Sequence, residues 1–152
     1  MVVRIVTLAV LLLARQSPSP TPAAAQARDP LFSAKHLTCS FPVYAAPVWK
    51  DGAAQVVSRA QDFTFDVDSI DPKKNSARIV GAGGATAHAS TVITPTGVNV
   101  VEATPMGNLN LTTIFVAGGT AGKYIAVHSR HLGDLKSMPA VSQNYGTCSI
   151  AK

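Results

Sequence analysis

Charge is scarce in this chain. Asp, Glu, Lys and Arg make up 14% of its 152 residues, against a hydrophobic share of 47%. Disordered chains need the opposite balance, so the composition excludes disorder and predicts a packed core. The length suits one domain rather than two. Long apolar runs are also missing. The longest, Ile5–Ala14, falls well short of the roughly 20 residues a membrane-spanning helix needs, which excludes a transmembrane anchor. Contiguous basic stretches are absent apart from Lys73-Lys74. Nucleic-acid binding needs a basic footprint, so that class is excluded as well. There is no internal repeat of fixed period.

The apolar run has a different meaning. Met1-Val-Val-Arg4 is a short basic start, Ile5–Ala14 an apolar stretch, and Gln16–Pro22 polar and proline-rich. Ala23-Ala-Ala25 and Ala25-Gln-Ala27 both fit a small-x-small cleavage site. The pattern predicts a secretory signal peptide over residues 1–27, with no membrane insertion after its removal. No cysteine lies near the cut, so a lipid-anchored start is not expected. Residues 28–36 then form a lead-in to a single domain over residues 37–152. The formal charge of +5 includes Arg4 and Arg15; without them, 11 of the 13 basic residues face 8 acidic ones, a balance of +3.

Cysteine is nearly absent too. Cys39 and Cys148 are the only two, near the ends of the expected domain. In an exported chain they are expected to form one disulfide. Closing a loop of about 100 residues stabilises a fold by roughly 4–5 kcal/mol in the chain-entropy account.

What the chain does have is alternation. Asp62-Phe-Thr-Phe-Asp-Val-Asp68 places Phe63, Phe65 and Val67 on one face and polar residues on the other. Short strands are expected at Leu37–Phe41, Ser76–Val80, Ala85–Thr94, Val98–Ala103, Leu109–Val116, Lys123–His131 and Val141–Ile150, separated by glycine, proline and asparagine turns. Pro42 and Pro47 read as interruptions, Ala53–Gln61 permits a short helix, and Trp49 reads as a plug for the core. About eight strands with short connections predict an all-β fold of antiparallel neighbours, an up-and-down barrel. A disulfide between its first and last strands would staple the two edges that closure must join. A two-sheet sandwich is the alternative.

Signals for chemistry are weak. Arg78-Ile-Val-Gly-Ala-Gly-Gly-Ala-Thr86 lacks the third glycine of a dinucleotide turn and leads into another strand, not a helix. Gly118-Gly-Thr-Ala-Gly-Lys123 is one residue short of a phosphate loop. His36, His88, His128 and His131 have no ligand spacing, so no metal or other cofactor is expected. His128 and Ser129 point to opposite faces of a strand, and no Gly-x-Ser-x-Gly elbow exists, so no catalytic residue is assigned.

One patch is singled out. Taking Ile125 and Val127 as the core side of their strand, with Leu109, Leu111 and Phe115 as the core side of the preceding one, sends His128, Arg130 and Tyr124 outward. There they join Asn110 and Thr112. Such a patch offers donors for a carboxylate or phosphate. The plainer reading is a wet sheet face with Arg130 paired to Glu102.

Gly107-Asn-Leu-Asn-Leu-Thr-Thr113, Ala126-Val-His-Ser-Arg-His131 and Ser142-Gln-Asn-Tyr-Gly-Thr-Cys148 resemble the C-terminal motifs of an uncharacterised family of small exported bacterial proteins. The resemblance covers residues 37–150. It implies export and a single domain and supplies no activity or site residue. In size and strand number alone the chain is also similar to small periplasmic barrels that bind lipophilic ligands or inhibit lysozyme. The expectation is a periplasmic or secreted, non-enzymatic module that binds a small ligand or an envelope protein. A small hydrolase using His128, or a purely structural envelope protein, are the alternatives.

Overall fold

The alternating segments form strands, and the turn residues between them let each strand fold back on the last. A computed structural model of the chain describes residues 29–120, 122–133 and 140–151; the expected leader lies outside these. The strands are β1 (Leu37–Lys50), β2 (Ala53–Asp71), β3 (Ser76–Gly81), β4 (Thr86–Thr94), β5 (Gly97–Ala103), β6 (Leu109–Phe115), β7 (Lys123–Leu132) and β8 (Ala140–Ile150). Each runs antiparallel to its sequence neighbour, and β8 pairs with β1 to close an eight-stranded up-and-down barrel. Cys39 and Cys148 face each other in register across that closing seam and are bonded, 109 positions apart in sequence.

Three expectations about the first hairpin are corrected. β1 does not stop at Phe41, and Ala53–Gln61 is strand, not helix. Pro42 sits where the register of β1 shifts against both neighbours. Pro47 lies beyond Ala45, the last β1 residue paired with β8, so its missing N–H breaks no ladder. Asp51 and Gly52 form the two-residue turn, with φ of 52° and 77°, the left-handed pair that a tight hairpin requires. β2 meets β3 only from Phe65 onward. The part of the hairpin near the turn therefore stands clear of the barrel as a two-stranded arm. Trp49 is at its end, 43% exposed, and plugs nothing.

The core lies inside the ring. Phe65 and Val67 are buried as expected, and Phe63 is half-buried beside them. In β6 and β7 the expected facing is inverted. Thr112, Ile114, Tyr124, Ala126 and His128 are buried, whereas Leu109, Phe115 and Ile125 are exposed and Leu111 and Val127 only half-buried. Gly146 of β8 makes room for the shifted β1. A Cβ there would lie 1.9 Å from the Ser40 carbonyl oxygen.

The segment read as a lead-in closes one end of the barrel. Asp29 caps a 3₁₀ turn, Pro30–Ser33, by accepting from the Leu31 N–H at 2.9 Å, and Leu31 is buried. The Tyr124 hydroxyl, 95 positions away, donates to the same carboxylate at 2.8 Å. Burial and this carboxylate raise the tyrosine's pKa above its ordinary value.

Candidate functional site

Because the strands are paired without shifts from β5 to β8, inward side chains line up in rows across the sheet. Val98, Ile114, Ala126 and Gly146 form one row, small enough for the barrel to be filled at that level. Val100, Thr112, His128 and Asn144 form the next. Glu102, Asn110, Arg130 and Ser142 form the last, at the rim away from the 3₁₀ turn. The interior thus grades from apolar to polar along the barrel axis.

The middle row is held by hydrogen bonds. Thr112 Oγ1 and His128 Nδ1 are 2.9 Å apart. The Asn144 amide donates to the His128 carbonyl at 2.9 Å, and Asn144 Oδ1 accepts from Gln61 Nε2 at 2.7 Å. Gln61 also donates to the Phe41 carbonyl at 3.1 Å, where the ladder is irregular. The imidazole is packed among Phe41, Phe63 and Phe65, with ring centroids 5.7, 5.3 and 5.2 Å away. Burial, with Arg130 two residues along the same face, lowers the His128 pKa to about 4. The ring is therefore neutral near pH 7 and serves as a hydrogen-bonding group without charge.

Above this layer the barrel opens into a cavity of about 280 Å³. Phe63, Phe65 and Ile79 line it, with His128, Asn110, Arg130, Glu102 and Asp62. Asn110 Nδ2 donates to Glu102 Oε2 at 2.8 Å, and no described residue donates to its buried Oδ1. Glu102 makes no salt bridge with Arg130, and among the described residues Arg130 has no carboxylate within ion-pair distance. The mouth thus carries an acidic side, a basic side and an apolar floor.

Of the patch expected from sequence, His128, Arg130 and Asn110 do come together, but inside the mouth and not on the outer face. Thr112 stands behind His128 as its partner. Tyr124 is separated from them, at the closed end of the barrel. Ser129 points away from His128, on the other side of the strand. The phenylalanine floor, Asn144 and Gln61 did not figure in the expected patch, and Glu102 entered only as a pairing partner for Arg130. Glu102 was the visible signal, as the one charged residue in a strand of valines. No family model matches the chain, and no curated protein matches it either.

Proposed function

We propose that this chain is an exported, non-enzymatic binding module whose barrel mouth takes a small ligand resembling an apolar amino acid or dipeptide. One observation carries the reading: oppositely charged Glu102 and Arg130 sit in the same rim row, separated by Asn110, over a floor of Phe63, Phe65 and Ile79. Neighbouring strands are about 4.8 Å apart, so the two charged residues are anchored roughly 10 Å from each other, a span suited to a small zwitterion. Arg130 offers a fork of donors to a carboxylate. Glu102 accepts from an amine or amide. Neutral His128 and the phenyl rings receive the apolar body. The volume is at the small end for ligand pockets, which favours a compact ligand. The bonded cysteines support export, since such bonds persist in oxidising compartments.

The experiment is a calorimetric titration with apolar dipeptides, their N-acetyl forms and their C-terminal amides. Binding is expected for the free zwitterion and at least tenfold weaker for each blocked form. Arg130→Ala should abolish the preference for a free carboxylate, and Glu102→Gln the preference for a free amine, each with little change in Tm. Equal binding of blocked and free forms, or none by any of them, overturns the proposal.

A further inference from the structure

The arm carries an unguarded sheet edge. Among the described residues no strand pairs with β2 between Ala53 and Thr64 on the side away from β1. Ala53–Ala60 are all exposed. The two-residue turn makes Lys50 and Ala53 a hydrogen-bonded pair, and the alternate pairs Val48–Gln55, Ala46–Val57 and Tyr44–Arg59 follow. The N–H and C=O groups of Ala54, Val56, Ser58 and Ala60 therefore point outward, along the free edge.

Native sheets blunt such edges with lysine, proline or bulges. The other edge of the arm has these guards, Pro47 and Lys50. The β2 edge from Ala53 to Gln61 has neither a proline nor a lysine, and its one charged residue is Arg59. Exposed apolar side chains gather here as well. Val43, Val48, Trp49, Val56 and Val57, with Val141 and Tyr145 of adjoining β8, are seven of the thirteen large exposed hydrophobics among the described residues. Val56 is the most exposed of these seven, at 77%.

The free edge is complementary to itself. In an antiparallel pairing centred on Val57, Ala54 meets Ala60 and Val56 meets Ser58, and these pairs use all four outward backbone groups. Gln55 then lies opposite Arg59, Val57 opposite Val57, and no like charges face each other. We propose that two copies of this chain join along Ala53–Gln61 of β2, about a two-fold axis through Val57, merging their arms into one four-stranded sheet. The shared edge ends at Gln61, beside Asp62 and Phe63 of the mouth, but the pairing itself rests on the backbone edge and not on what the mouth binds.

The test uses the full chain expressed with its leader. Sedimentation should show a dimer. Val57→Cys places two thiols directly opposite across the axis, so air oxidation should give a covalent dimer at high yield. Gln55→Cys, which faces Arg59 of the second copy, should not. Gln55→Lys sets a like charge against Arg59 twice per dimer and should raise the dimer dissociation constant about tenfold, while Gln55→Glu should lower it. The arm stands outside the barrel, so Tm is expected to hold in all of these. A monomer at every concentration overturns the proposal. So does a dimer in which Val57→Cys crosslinks no better than Gln55→Cys.

Discussion

His128 cannot take up a proton without leaving a charge among three phenyl rings and beside Arg130. Its pKa falls from an ordinary value of about 6.5 to about 4 in the folded state. Between those values the unfolded chain binds more protons than the folded one, so stability is full above about pH 6.5 and declines as pH falls toward 4. The shift corresponds to roughly 3 kcal/mol. Denaturant midpoints measured from pH 7 to pH 4 should show this decline, and His128→Gln should flatten it. An unchanged slope in the variant would assign the acid sensitivity to another group. Asp68 and Asp71 act at lower pH. The Arg78 guanidinium and the Ser69 N–H hold Asp68 below the ordinary carboxylate range, and the Lys73 and Lys74 N–H groups outweigh desolvation to hold Asp71 there. Their contribution is present above an ordinary aspartate pKa of about 3.9 and is lost as pH falls through the lowered values. The aromatic residues divide by position. Phe41, fully buried against Phe63, Phe65 and His128, should cost about 3–5 kcal/mol on truncation to Ala. Phe115, on the outer face at 36% exposure, should cost under about 1 kcal/mol. Equal losses for the two would contradict the facing of β6.

At the scale of the element, strand positions were legible and strand facings only partly so. Alternation marks where a strand lies and which residues share a face, because the period of two is a property of the backbone. It does not say which face is inside when both are mixed. In β2, Phe63, Phe65 and Val67 oppose Asp and Thr, and the contrast picks the core correctly. In β6 and β7 it picks the wrong side, since Leu111, Phe115, Ile125 and Val127 are more apolar than Thr112, Ala126 and His128. A narrow barrel reverses that preference. Its interior has room for small side chains, here Ala77, Ala89 and Ala126, and it tolerates polar ones that bond to each other, as Thr112 and His128 do. The same inversion explains where the expected patch ended up: Tyr124, His128 and Arg130 share one face of β7 as expected, but that face is the inside of the barrel. The length of β1 was hidden because Pro42 and Pro47 read as strand breakers, although one sits at a register shift and the other lies beyond the last β1 residue paired with β8. Gly146 tests the irregular stretch directly. A methyl group there would collide with the Ser40 carbonyl, 2.7 Å from the Phe41 Cα as well. Gly146→Ala should therefore cost several kcal/mol by forcing β1 and β8 apart, a loss of the order seen when cores are overpacked or more. A change in midpoint below about 0.5 kcal/mol would show that β1 relaxes freely at its bulge.

For the molecule as a whole, one seam decides whether the sheet is a ring. Seven of the eight strand pairings join neighbours in sequence, and these form with short loops. The eighth, β1 with β8, joins the two ends of the domain and carries the largest loop-closure entropy. The Cys39–Cys148 bond lies in that pairing, flanked by Thr38–Ser149 and Ser40–Thr147. Its loss should thus weaken the seam before it weakens any hairpin. Replacing both cysteines with alanine should cost about 4–5 kcal/mol, the value for a loop of about 100 residues. Non-reduced mass measurement of the parent protein should show two protons fewer than its reduced form. The effect should also be local. Amide hydrogen exchange in the alanine variant is expected to rise most at the β1–β8 pairs and least between β4 and β5, on the far side of the ring. The mouth should register the change too, because Phe41 and Asn144 come from the two strands of the seam and hold His128 between them. Dipeptide binding at the mouth is expected to weaken in the double variant even at temperatures where it stays folded. A uniform rise in exchange around the ring would mean that the disulfide acts only on the unfolded chain, with the seam closed by its ladder alone.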